Sequence, residues 1–142
     1  DNVAPEWKEL RAKAMQILQN EAELDEIVRL VGVDALSWKD RLTLEVARSI
    51  REDYLHQNAF DEVDTYTSPE KQYRMLRLIL QFGERGRAAL DAGVNLSQVL
   101  GLPVRERIGR AKYIRESELA QFNAIESELN DQTGALLTEG GL

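Results

Sequence analysis

The chain has 142 residues, 43% of them hydrophobic and 30% charged, with a formal net charge of -7 at pH 7, which is material for one modest core and one domain. It has no cysteine, so disulfides, zinc-thiolate centres and thiol nucleophiles are excluded and a reducing, cytoplasmic setting is expected. No apolar run approaches the roughly 18 to 20 residues of a membrane span, and DNVAPEWKEL lacks the basic start and apolar centre of a signal peptide, so a soluble polypeptide is expected.

Glycine and proline fall between apolar-periodic segments, the punctuation of an all-α domain of about five to seven helices packed as an irregular bundle. Pro5 opens a first helix, in which Trp7, Leu10, Ala14, Ile17 and Leu18 recur at three- and four-residue steps to about Asn20. A second, short helix is predicted from Ala22 to Val31, carrying Leu24, Ile27, Val28 and Val31, and Gly32 supplies its stop. Ser37 caps a third helix, with Asp40 favoured in the first turn by the helix dipole. Its stripe is Leu42, Val46, Ile50 and Tyr54, flanked by Ala47 and Leu55; Arg48, Arg51, Glu52 and Asp53 point to solvent or a partner, and the helix is expected to run unbroken to Gln57.

Residues 58 to 67 show neither period and read as a loop. Ser68 and Pro69 then start a long fourth helix lined by Tyr73, Leu76, Ile79, Leu80, Gly83 and Leu90 and closed by Ala92 and Gly93. A short helix is expected from Asn95 to Gly101, and Pro103 opens another with Val104, Ile108 and Ala111 in step. The last amphipathic stretch uses Ile114, Leu119, Phe122, Ile125 and Leu129. The bundle is thus placed at 1–130, and residues 131–142, without periodicity and with three glycines, are read as a flexible tail.

Charge divides along the chain. Residues 1–67 hold 8 Lys/Arg against 15 Asp/Glu, residues 68–115 hold 10 against 4, and residues 116–142 hold none against 6. The basic middle has no aromatic platform or nucleic-acid motif, so it is expected to pack beside acidic neighbours, in this domain or a partner, rather than on nucleic acid. Catalytic chemistry is not evident. The single histidine, His56, has no cysteine or second histidine beside it, and the carboxylates Glu52, Asp53, Asp61, Glu62 and Asp64 lack calcium-loop spacing. Gly83 and Gly86 lie in a helical pattern, not in a phosphate-binding loop, and suit close helix packing. From the residues alone the chain reads as a helical interaction domain with no catalytic residue and no metal site.

One stretch says more. Gly32 precedes Asp34, Leu36, Ser37 and Asp40, followed by Arg41, Leu42 and Thr43, at the spacing of the Asp-Glu-Leu-Ser-Glu-Glu-Asp lever of F-type rotary ATPase catalytic subunits, and Gln57 keeps the exit position of the helix that follows. The remaining text, SIREDYLHQNAFDEVDTY and SPEKQYRMLRLIL, resembles the C-terminal helical domain of the catalytic A subunit of archaeal A-type and vacuolar V-type enzymes, over roughly residues 5–115. With no initiating methionine, the chain reads as a piece of something longer.

That resemblance implies a lever between two contacts. Asp34, Ala35, Leu36, Ser37, Trp38, Lys39 and Asp40 would face the rotating central stalk, with Trp38 either pushing outward or stapled against a neighbouring helix. Ala35, Trp38 and Lys39 replace acidic residues of the F-type lever, which suits contact through shape more than through negative charge. Phe60, with Gln57, Asn58 and Ala59, would stack on the adenine of a nucleotide held mainly elsewhere; the alternative is that Phe60 anchors its own loop. The implied partners are the non-catalytic B subunit and the central-stalk subunits of a hetero-hexameric head, without nucleic acid and without a membrane span of its own. Mg-ATP or ADP would belong to the full-length subunit, which hydrolyses or makes ATP in ion translocation, and this chain alone would carry no cofactor and no activity. The implied location is cytoplasmic, at the periphery of a membrane-bound complex. The alternative from another class is a freestanding helical adaptor that binds a protein through its basic fourth helix.

Overall fold

The computed structural model describes residues 5–55 and 68–140, with side chains to residue 138. Among these residues there are six α-helices and no strand: α1 Pro5–Val31, α2 Trp38–Ser49, α3 Pro69–Asp91, α4 Leu96–Leu100, α5 Pro103–Arg110 and α6 Gln121–Gly140. Short 3-10 turns lie at Val33–Ala35, Ala111–Tyr113 and Glu116–Glu118, and Ile50–Leu55 extends α2 as a π-helical turn. The all-α bundle expected from the sequence is therefore the fold.

The central helix is α3, which packs against α1, α2, α5 and α6. Its start follows from local chemistry: the Ser68 hydroxyl accepts from the Lys71 N–H, and Pro69 takes the first turn. Met75, Leu76, Leu78, Ile79, Leu80, Phe82 and Ala89 are all buried, so apolar side chains surround more than one face. They join Leu42, Val46 and Ile50 of α2, Val99, Val104 and Ile108 of α4 and α5, and Phe122, Ile125 and Leu129 of α6 in one core.

Three boundaries differ from the sequence reading. The two helices expected before Gly32 are one, because no glycine or proline interrupts Pro5–Val31 and Asn20 accepts a hydrogen bond from Gln16 at 3.1 Å across the supposed break. The helix after Ser37 changes winding at Ile50. At 3.6 residues per turn a stripe spaced by four slips about 40° at each step, and a wider turn closing on i+5 takes up that slip. Ile50 then stays buried, and Tyr54 meets the Trp7 ring edge-on at 6.5 Å. Leu55, expected beside the stripe, is exposed.

The third difference concerns the end of the chain. α6 crosses the boundary drawn at residue 130 and continues to Gly140. Its apolar stripe runs on through buried Thr133 and through Leu136, which packs against the core. The Thr133 hydroxyl donates to the Leu129 carbonyl at 2.6 Å, which removes the cost of burying it. Gln132 accepts from the Val104 N–H at 2.9 Å, so the stretch read as a tail is bonded to the first turn of α5.

The basic middle closes on acidic neighbours within the domain. Arg77 pairs with Glu126 at 3.2 Å, Arg107 with Glu128, and Arg105 with Glu45.

Candidate functional site

The tip between α1 and α2 is built by a glycine, a turn and a cap. Gly32 sits at φ +95, a conformation side chains other than glycine's disfavour, and reverses the chain after α1 while its N–H still donates to Val28. The 3-10 turn Val33–Ala35 follows, and the Leu36 N–H donates back to the Val33 carbonyl. Ser37 adopts an extended conformation and its hydroxyl accepts from the Asp40 N–H at 3.1 Å, satisfying an otherwise unpaired donor of the first turn of α2.

The seven residues expected to face a partner do different work. Leu36 is buried, 6% exposed, and anchors the turn to the bundle; it offers nothing outward. Ser37 is committed to the cap. Lys39 and Asp40 are half-buried, and Lys39 forms an ion pair with Asp91 at the end of α3. Asp34, Ala35 and Trp38 project most, with Trp38 59% exposed. The choice between an outward Trp38 and a buried staple is thereby decided for the outward position. Its ring forms one wall of an open recess of about 500 Å³ at the α3–α4 corner, with Val94, Asn95, Leu96 and Leu100 among the others.

Arg41 entered the sequence reading only as part of the lever-like stretch, with no role given to it. Its guanidinium lies 4.7 Å from the Trp38 ring centroid, and its Nη2 is 3.3 Å from Asp34 Oδ1. One side chain thus fixes the tryptophan from its face and ties the acidic turn to the helix. The signal was present, since Arg41 stands three residues after Trp38, where helical side chains meet.

The other end is only partly on view. His56 and the proposed adenine contacts Gln57, Asn58, Ala59 and Phe60 lie outside the described residues. What precedes them is well tied. In the π turn Asp53 accepts from Lys112 Nζ at 3.0 Å, and the fully buried Lys71 donates to the Lys112 carbonyl at 2.8 Å. Burial raises the Asp53 carboxyl above its ordinary value, against the opposing pull of Lys112. Arg51 meets Glu21 of α1 through two nitrogens, at 3.2 and 2.6 Å. Among the described residues no group of His, Asp and Glu is placed to hold a metal, and no helix is long and apolar enough to cross a membrane.

The tip thus presents an outward aromatic on a capped, clamped turn at one end of the bundle. The family model described as the C-terminal domain of V and A type ATP synthase matches residues 1–100. The chain belongs to this family. It is 63% identical over 140 residues to the V-type ATP synthase alpha chain of Acetivibrio thermocellus, covering 98% of this chain. It is 60% identical to that of Thermoanaerobacter pseudethanolicus and 56% identical to V-type ATP synthase alpha chain 1 of Clostridium tetani, over 99% and 100% of its length. In each case it spans 24% of the relative's length, so it corresponds to about a quarter of those proteins. The V- and A-type ATP synthase C-terminal domain thus includes the tip at 32–41 within the matched stretch, whereas α5 and α6 lie wholly beyond it.

Proposed function

We propose that this chain is the lever of a rotary ATP synthase or ATPase catalytic subunit: it moves as a body with a nucleotide-binding region elsewhere in that subunit and presses on a central stalk through Asp34, Ala35 and Trp38. The observation that carries this is the exposed Trp38, held by Arg41 on a helix whose inner face is core. Residues 38–55, helical throughout, span about 25 Å at 1.5 Å per residue, less where the turn widens. A stiff element of that length carries a hinge displacement from one end to the other without local melting.

Phe60, with Gln57, Asn58 and Ala59, is proposed as the adenine contact, adding about 1 to 3 kcal/mol of stacking to a nucleotide bound mainly by other parts of the subunit. The subunit would work with Mg-ATP or ADP beside a non-catalytic B subunit, in a head on the cytoplasmic side of an ion-translocating membrane complex. The chain by itself is inactive on this reading. Family membership favours it over a freestanding adaptor.

The test uses the full-length subunit assembled in its complex. Trp38→Ala is expected to leave ATP hydrolysis running while ion pumping falls; unchanged pumping would remove the tip from the mechanism. A steady magnesium-dependent ATPase rate from the 142 residues alone would contradict the separation of lever from chemistry.

A further inference from the structure

The segment 56–67, which carries the proposed adenine contact, lies outside the described residues, but its two flanks do not, and both are bonded to one stretch of chain. On the near flank Asp53 of the π turn accepts from Lys112 Nζ at 3.0 Å. On the far flank the N–H of Ser68, the cap of α3, donates to Glu116 Oε2 at 3.0 Å. Lys112 and Glu116 belong to the two consecutive 3-10 turns that join α5 to α6. That stretch is itself fixed. Ala111 is buried, the Ile114 N–H donates to the Ala111 carbonyl at 3.0 Å, and the fully buried Lys71 of α3 donates to the Lys112 carbonyl at 2.8 Å. The pair of Asp53 and Lys112 is shielded as well, with side chains 17% and 22% exposed.

We infer that Lys112 and Glu116, with Lys71 supporting Lys112, are positioning residues for the nucleotide: by holding both flanks of 56–67 on one stretch they set where Phe60 and its neighbours stand, and so tighten binding of the adenine ring. The inference rests on the adenine reading above and extends it to residues far along the chain that touch no nucleotide themselves. Two arguments favour this role over simple cementing of the fold. A shielded ion pair adds little net stability over apolar side chains of the same volume, whereas it admits only one arrangement of its partners. A segment with both ends fixed also loses less entropy when one of its residues meets a ligand, so the gain is read in affinity and not in the chemical step.

Steady-state hydrolysis of ATP and of UTP by the full-length subunit assembled in its complex tests this with Phe60→Ala, Lys112→Met and Glu116→Ala. All three are expected to raise KM for ATP severalfold with kcat little changed, and to narrow the preference for ATP over UTP, whose smaller ring stacks less. A change that only weakened the fold would lower the amount of active complex and leave KM and the preference as they were. In a Phe60→Ala background, Lys112→Met and Glu116→Ala are expected to raise KM by less than they do alone, because they act through the same contact. If Phe60→Ala acts but either of the others leaves KM unchanged, lowers kcat alone or adds in full to Phe60→Ala, the inference is overturned and the adenine reading stands. If Phe60→Ala changes neither KM nor the preference, the adenine reading falls and the inference with it. Should Lys112→Met fail to assemble because it strands the Asp53 carboxylate, Asp53→Asn combined with Lys112→Met removes both charges and is held to the same outcomes.

Discussion

The two faces of α2 solve opposite problems. Along the seam with α3, Gly83 and Gly86 let the helices approach until a Cβ on Gly86 would lie 3.0 Å from Val99 Cγ1 and 3.1 Å from Leu42 Cδ2. Leu42, Val46 and Ile50 are buried there as part of the apolar core. At the tip, the same helix begins with a tryptophan in solvent, held by one guanidinium and surface ion pairs. Packing at the seam supplies stiffness at a high cost to any change of volume. Charge-assisted contacts at the tip fix a shape while leaving it accessible, and such surface pairs add little to stability. Stiffness and an accessible shape are thus assigned to different residues of one element, and each can be altered without the other.

The sharpest way to separate them is Leu42→Ala, which deletes a side chain only 1% exposed and should lower unfolding stability by about 2 to 5 kcal/mol in urea titrations. A loss comparable to that of a surface change would mean the seam is not the stiff part. Gly86→Val should follow, at about 1 to 3 kcal/mol through overpacking against Val99 and Leu42. Ser37→Ala sits between the two regions: loss of the cap should cost about 1 kcal/mol, read as a lower thermal midpoint, and loosen the turn that carries Trp38.

A pH experiment probes the far end of the same helix. Because burial raises the Asp53 carboxyl in the folded state, the folded chain holds that proton more tightly than the unfolded one. Its contribution is fully present below the ordinary aspartate value of about 3.9 and is lost as pH rises through the raised one. Asp53→Asn should therefore flatten the fall in stability across that window, and parallel pH profiles for the two proteins would show that the carboxyl is not desolvated there. The smallest effect on folding is expected from Trp38→Ala, within about 0.5 kcal/mol, since its ring faces solvent. A large drop in its thermal midpoint would place Trp38 in the seam's class and undo the contrast.

Much of this architecture is written locally. Ser37, Ser68 and Pro69 place helix starts, Gly32 and Gly93 place helix stops, and apolar steps of three and four identify Leu42, Val46, Leu76, Phe122, Ile125 and Leu129 as core, because capping and amphipathic burial act over one or two turns. The turn after Gly32 and the Ser37 cap that build the tip were legible for the same reason. The clamp of Arg41 on Trp38 could have been read from spacing alone.

What needed the tertiary structure were features decided by partners distant in the chain. The π turn at Ile50–Leu55, the burial of Lys71 under Lys112 and the extension of α6 past residue 130 each go with a contact 25 or more residues away. Val31 shows the limit most simply. Its position in the apolar period matches that of Leu24, and only the point at which neighbouring helices stop leaves one buried and the other in solvent. Periodicity determines which face of a helix can be buried; the lengths and placement of the elements around it determine how far along that face burial extends.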